Sequence, residues 1–320
     1  MKTEESSPRY SNIDRWDPAD VLESLIEGQF SAVAAVRAAL PAIQSAAVAM
    51  QARLRERGRL VYAGAGTSGR LAVQDGAELA PTFGWPSDRL LLLIAGGQDA
   101  LLQSVEGAED DVANARQLMG RHTINEDDVV VAVAASGTTP FTLACLREAR
   151  TRGALTIGIA NNQGSPILEE SHHPIFLDTG PEPIAGSTRL KAGTAQKITL
   201  NALSSLLMIL LGRVYRGLMV DVRASNEKLV RRSEDMLVKL TGCSHDDARN
   251  AFAAASGSVK LAVLLLRGCD LDLAEDLLDR AEGNLSKALD LIESSGSMPR
   301  DAEEAASPAL RPVRKGQPGQ

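Results

Sequence analysis

The sequence predicts an α/β fold in which a parallel sheet is covered on both faces by helices. Four short apolar runs, residues 60–63, 90–95, 129–134 and 155–159, recur through the middle of the chain, with segments of helical character between them. The first three end in small residues and glycine, the fourth at Asn161 and Asn162. Unbroken apolar runs of about five residues, alternating with helices, mark strands buried on both sides. Aromatic residues make up only 3% of the chain while hydrophobic residues reach 44%. The core is therefore built from Ala, Leu and Val, which suit close-packed helices and buried parallel strands.

The elements follow in order. Residues 1–17 are polar and read as a loose tail. From Pro18 the pattern is helical, with Val21, Leu22, Leu25 and Ile26 on one face. A second helix is expected over residues 31–57, stopped by Gly58, with Pro41 either starting a new segment or kinking it. The four strands come next, and residues 174–177 read as a fifth strand at the sheet edge. A long, nearly uncharged helix is expected over residues 188–215 and another over 224–240. Thr241 and Gly242 mark a boundary. Beyond them four short helices are expected, over 245–256, 259–267, 271–281 and 285–292, with Gly257, Gly268 and Gly283 at the stops. The stretch from 294 to 320 is rich in Pro, Ala, Ser and charge and reads as a disordered tail. The expected division is thus a tail (1–17), an α/β domain (18–241), a helical module (242–293) and a second tail (294–320). A chain of 320 residues agrees with two domains at roughly 150 residues each.

Charge and cysteines exclude several roles. Lys and Arg total 34 against 41 Asp and Glu, a net charge of −7. Without a basic tract the chain is a poor partner for nucleic acid or for a membrane surface. Cys145, Cys243 and Cys269 are odd in number and lack metal-ligand spacing, as in a reducing compartment. Residues 1–14 have no apolar core, so no signal peptide is read there. The longest apolar run, residues 198–211, is shorter than the ~20 residues of a membrane helix. A soluble, cytoplasmic chain is expected.

In an open parallel sheet ligands bind at the C-terminal strand ends. Two strand ends here carry similar loops: Gly64-Ala65-Gly66-Thr67-Ser68-Gly69-Arg70 and Ala135-Ser136-Gly137-Thr138-Thr139-Pro140. Each is either a tight turn with a Ser or Thr helix cap or an anion cradle of amides and hydroxyls suited to phosphate. Two such loops on neighbouring strands favour phosphate. Gly64, Gly66 and Gly69 imitate a dinucleotide fingerprint, but no acidic residue ends the next strand, and no Walker lysine is present. Glu78 follows the first loop among small and apolar residues. There it is either a solvated helix-end glutamate, the better reading of the residues alone, or a general acid or base. The acidic set Glu106, Glu109, Asp110 and Asp111 poses the same choice. Arg189, Lys191 and Lys197 open an otherwise uncharged helix. Cations there oppose the helix dipole, so they mark either a nearby anion or a solvated first turn.

Five stretches together carry a resemblance. They are GAGTSGRLAVQDGAELAPTFG (residues 64–84), the AGG and VEGAEDD pair (95–111), AASG-x-TP (134–140), GSTRLKAGTAQK (186–197) and GLMVDVRASNEKL (217–229). In order and at matching spacing, over residues 5–293, they resemble the N-acetylmuramic acid 6-phosphate etherase family. That family belongs to the sugar-isomerase (SIS) domain superfamily and is related to the glucokinase regulatory protein. The resemblance implies a three-layer SIS fold with a small C-terminal helical module of ubiquitin-associated type. It implies a lyase of cell-wall sugar recycling that removes D-lactate from carbon 3 of N-acetylmuramic acid 6-phosphate, leaving N-acetylglucosamine 6-phosphate. Elimination and water addition need carboxylates, with no metal and no redox cofactor.

The resemblance makes Glu78 the catalytic proton donor and Glu109 the second acid/base. Gly66, Thr67, Ser68, Ser136, Thr138 and Thr139 match the phosphosugar-binding loops. Ser187, Arg189 and Lys191 match a loop that closes over the sugar near the partner's site in a homodimer with shared active sites. This chain departs from the family pattern at Gly76-Ala77, Leu79-Ala80, Thr138 and Leu190; neither glutamate is touched. Two alternatives share the fold: a phosphosugar isomerase, and a non-catalytic phosphosugar-sensing regulator.

Overall fold

The computed structural model describes residues 1–55, 57–222 and 226–294. The chain divides into two compact units, one ending at Val222 and the other comprising the rest of the sequence.

The first unit holds the sheet. Five parallel strands, β1 (Leu60–Gly64), β2 (Leu90–Ile94), β3 (Val129–Val133), β4 (Leu155–Ala160) and β5 (His173–Phe176), lie in the order β2-β1-β3-β4-β5. The apolar runs form strands because alternate residues find apolar cover on opposite faces. Leu60, Tyr62, Val131, Ile157 and Ile175 face a core shared with α2 (Leu40–Leu54), α3 (Gly66–Phe83) and α7 (Lys191–Leu210). Val61, Ala63, Leu93 and Val130 face α4 (Val112–Arg121) and α5 (Pro140–Thr151). The short α6 (Pro166–Glu170) places Ile167 against Ala132 and Leu146 on that same side. Helix α1 (Pro18–Ala38) packs outside the sheet layer on α7 and α2. The three layers and the edge position of β5 agree with the expected SIS architecture.

Four boundaries differ from expectation. The first helix runs on to Ala38 and the break falls at Ala39, where α2 turns by 54° with Pro41 in its first turn. Pro41 has no N–H to give, so it fits a first turn and ends the helix before it; Ser31 offers no such reason to stop. Helix α7 starts at Lys191 and ends at Leu210. Beyond it Val214–Tyr215 and Leu218–Met219 form a two-stranded hairpin, β6 and β7, across Arg216 and Gly217. Both turn residues have positive φ (47° and 76°), the geometry that matches strand twist in a two-residue hairpin. Residues 1–17 are not loose: they form three single 3-10 turns, and Thr3 is fully buried.

The second unit is helical: α8 (Glu227–Thr241), α9 (His245–Ala254), α10 (Val259–Leu266), α11 (Leu271–Arg280) and α12 (Leu285–Ser294). Ser244, Ser258 and Asp270 cap three of these with side-chain oxygens, and Gly257, Gly268 and Gly283 have the positive φ of helix stops. The expected boundary at Thr241 differs from the contact boundary because α8 packs on α9 and α10. The start expected at residue 224 and the tail from 295 lie outside the described residues. Among the described residues no single helix is long and apolar enough to cross a membrane.

Candidate active site

Strands β1 and β3 pair in parallel, Gly64 beside Val133, so their following loops leave one edge of the sheet side by side. The first turn is tight: a Cβ on Gly64 would lie 2.8 Å from Gly69 Cα, and one on Gly69 would lie 2.8 Å from the Gly64 carbonyl carbon. Gly66 opens α3 at φ 54° with open space where a side chain would stand, and Thr67 and Ser68 follow on the first turn. Arg70 ties this helix to the turn after β2, donating to the Ala100 carbonyl at 2.7 Å and the Gln103 carbonyl at 3.1 Å.

In the second loop the Ser136 and Thr139 hydroxyls lie 3.2 Å apart, and Ser136 Oγ accepts the Thr138 N–H at 3.2 Å. Gly137 (φ 72°) is packed so closely on Ser165 that a Cβ would overlap it. The turn-plus-cap reading of these loops makes a specific claim, and the helix ends answer it. Helices α1, α4, α8, α9, α10 and α11 are each capped by a side chain. Neither Ala65 before α3 nor Thr139 before α5 makes such a bond. Helices α2 and α6 also lack a side-chain cap; what sets the ends of α3 and α5 apart is the hydroxyls beside them at adjacent strand ends, the kind of arrangement that suits an anion.

The two carboxylates lie on different elements. Glu109 lies in a single turn, Ala108–Asp110, that follows Gly107 (φ 71°) and packs against α5. An open cleft of about 600 Å³ beside it is lined by Gly96, Gly97, Glu106, Gly107, Asp111 and Asn114, among others. Glu78 lies on the exposed outer face of α3, not close to the first loop. Twelve residues separate it from Gly66, about 18 Å of helix at ~1.5 Å per residue.

Ser187, Arg189 and Lys191 belong to the entry of α7, and this entry adjoins the first loop of its own chain. A Cβ on Gly193 would lie 3.6 Å from Thr67 Cγ2. Arg189 precedes the helix and is exposed, whereas Lys191 is 4% exposed and its stem lies against Gly28. One anion beside Lys191 is Glu182. Its carboxylate is buried and accepts the N–H groups of Lys191 at 3.1 Å and Ala192 at 2.9 Å, capping α7 from a distance. Burial pushes the Glu182 carboxyl above its ordinary range, against the pull of those two N–H groups and Lys191. Burial likewise lowers the Lys191 ammonium below its ordinary value of 10.5, against the pull of Glu182.

Comparison with known proteins bears on this arrangement. Residues 42–150 match the glucokinase regulatory protein N-terminal SIS domain, and residues 99–206 match the SIS domain. Over 297 residues the chain is 48% identical to an N-acetylmuramic acid 6-phosphate etherase of Deinococcus radiodurans, spanning 92% of this chain and 97% of that protein. The chain belongs to the N-acetylmuramic acid 6-phosphate etherase family. An etherase of Streptomyces coelicolor is 45% identical over 291 residues, 90% of this chain and 93% of its own. A phosphoheptose isomerase of Francisella tularensis, 21% identical, superposes with a TM-score of 0.45 over 61% of this chain and 98% of that one.

Two acidic residues of this etherase-family chain escaped the sequence reading. Glu182 sits between Pro181 and Pro183, where nothing local signals a helix cap nine residues on. Asp75 is buried between α3, β1 and α7, accepting from Tyr62 (2.7 Å), Asn201 (2.6 Å) and Ser204 (3.1 Å). A signal existed for Asp75: it falls four residues from both Leu71 and Leu79, on the apolar face of α3. Burial, with Asp75 beside it, pushes the Tyr62 hydroxyl well above its ordinary range, so it stays a donor.

Proposed function

We propose that this chain is an N-acetylmuramic acid 6-phosphate etherase, cleaving the D-lactyl ether to give N-acetylglucosamine 6-phosphate and D-lactate. The observation that carries the reading is the near-full-length identity with etherases, over loops whose helix ends are left open for an anion. In this reading Ser136, Thr138 and Thr139, with Gly66, Thr67 and Ser68, hold the phosphate and sugar. Ser187, Arg189 and Lys191 flank them.

The chemistry follows from what an ether lacks. An alkoxide is a poor leaving group, so the sugar first opens to its aldehyde, which acidifies the proton on carbon 2. A carboxylate takes that proton, the carbon 3–oxygen bond breaks with its electron pair going to lactate, and a carboxylic acid protonates the departing oxygen. Water then adds at carbon 3 of the unsaturated aldehyde and a proton returns to carbon 2. Glu78 is the proton donor and Glu109 the second acid/base.

The position of Glu78 extends the reading to a homodimer with shared sites. A hexose phosphate held at the first loop is too short to span the ~18 Å of helix to Glu78 of the same chain. A second copy supplies it. Helix α7, though long and apolar, is covered by α1, α2 and α3 of the same chain. An exposed apolar stripe runs along α1, where Leu22, Ile26, Phe30 and Val33 follow helical spacing and each is more than half exposed, Phe30 by 71%. The reading places the enzyme in the cytoplasm, in keeping with its three free cysteines. Incubation with N-acetylmuramic acid 6-phosphate and assay of free D-lactate tests the function. Release of stoichiometric D-lactate supports it; an isomerised sugar with the ether intact, or binding without turnover, overturns it.

A further inference from the structure

The turn Lys2–Glu4 has one fully buried residue, Thr3, and its bonds explain the burial. Asn162, also buried, donates through Nδ2 to the Thr3 hydroxyl at 2.9 Å and to the Ala135 carbonyl at 2.9 Å. Asn162 Oδ1 accepts the Thr3 N–H at 3.4 Å. The Thr3 carbonyl accepts the Gly186 N–H at 3.1 Å. Gly186, at φ 77°, is closely covered: a Cβ there would stand 2.8 Å from the Glu4 carboxylate. Ala135 immediately precedes Ser136, and Gly186 immediately precedes Ser187. One residue thus bridges, through a single asparagine on one side and its own carbonyl on the other, two loops that carry the site's hydroxyls. The neighbouring Lys2–Asp178 ion pair, at 3.0 Å and about half exposed, contributes little by comparison.

We propose that Thr3 is a positioning residue for the phosphosugar site, holding the β3–α5 loop and the entry of α7 at the spacing that the phosphate requires. The inference rests on the phosphate reading of those loops. Thr3 touches no reacting atom, so its loss acts on ligand affinity and leaves the proton transfers alone. Without its hydroxyl, a buried Asn162 N–H loses its acceptor and the ligand must order the loops as it binds.

The test compares Thr3→Val, which removes the hydroxyl at nearly constant volume, with Thr3→Ser, which keeps it. KM and kcat are measured with N-acetylmuramic acid 6-phosphate, and inorganic phosphate binding is measured by calorimetry. Thr3→Val is expected to raise KM about 5- to 10-fold, with kcat within about twofold, and to weaken phosphate by a similar factor. Thr3→Ser is expected to stay within about twofold of the parent. In a Thr3→Val, Asn162→Ala double variant the effects are expected to fall short of additive, since the two act as one link. Unchanged KM and phosphate affinity in Thr3→Val, a kcat loss without a KM change, or equal losses in Val and Ser variants would each overturn the bridge. A parent that binds phosphate in a Thr3-dependent way but releases no D-lactate would leave the bridge standing and remove the etherase reading alone.

Discussion

Glu78 and Glu109 are both exposed carboxylates in the single chain, so what distinguishes them is the chemistry assigned to them. If they share the proton transfers, Glu78→Gln or Glu109→Gln lowers kcat by ~10²-fold or more, with a smaller change in KM because the hydroxyl loops still hold the ligand. Near-parental turnover in both variants would contradict the assignment. Lys191 carries a pH prediction. Its ammonium loses a proton more readily than an ordinary lysine because it is buried, and a neutral amine no longer attracts a phosphosugar. Substrate affinity is therefore expected to fall as pH rises through a value below 10.5. Lys191→Met should raise KM at neutral pH and flatten that alkaline limb; a limb unchanged in the variant would assign it elsewhere. The hydroxyls and glycines of both loops were legible in sequence because strand ends and small residues announce them. Thr3 and the partners of Asp75 were obscure because they meet across long stretches of chain, Thr3 with Asn162 and Gly186, Asp75 with Asn201, while Glu182 reaches its helix end from a proline-flanked loop nine residues before it. No local spacing encodes such contacts.

At the scale of elements, helix α1 carries the clearest consequence. Its apolar stripe meets solvent in the single chain, and in the proposed dimer a second copy covers it. Phe30→Glu places a charge in that surface. Sedimentation should show the parent at twice the chain mass and the variant at the monomer mass, with activity falling as dimer is lost. A fully active monomer at assay concentration would contradict the shared site. The strands were legible because a sheet buried on both faces requires unbroken apolar runs, and the glycine stops of α9, α10 and α11 because positive φ favours that residue. Pro41 announced the break before α2, but Ala-rich sequence hid that residues 31–38 belong to α1, and the β6–β7 hairpin was not legible because it spans two residues per strand. The tail at residues 1–17 was misread as loose because its anchor, Thr3, is a single polar residue.

For the molecule as a whole, the proposed dimer makes each working site from two chains: loops from one, Glu78 from the other. Mixing Glu78→Gln chains with Lys191→Ala chains tests this directly. A mixed dimer assembles one site with intact loops beside an intact Glu78, so activity should recover above that of either variant alone. No recovery after subunit exchange has been verified would place both residues in one chain's site. The central claim is the reaction itself, elimination of lactate followed by water addition. Running it in deuterated, oxygen-18-labelled water and analysing the N-acetylglucosamine 6-phosphate by mass and magnetic resonance tests that claim most directly. The account predicts deuterium at carbon 2 and labelled oxygen at carbon 3, with D-lactate keeping its original ether oxygen. Product with neither label, and lactate that has taken up solvent oxygen instead, would contradict it.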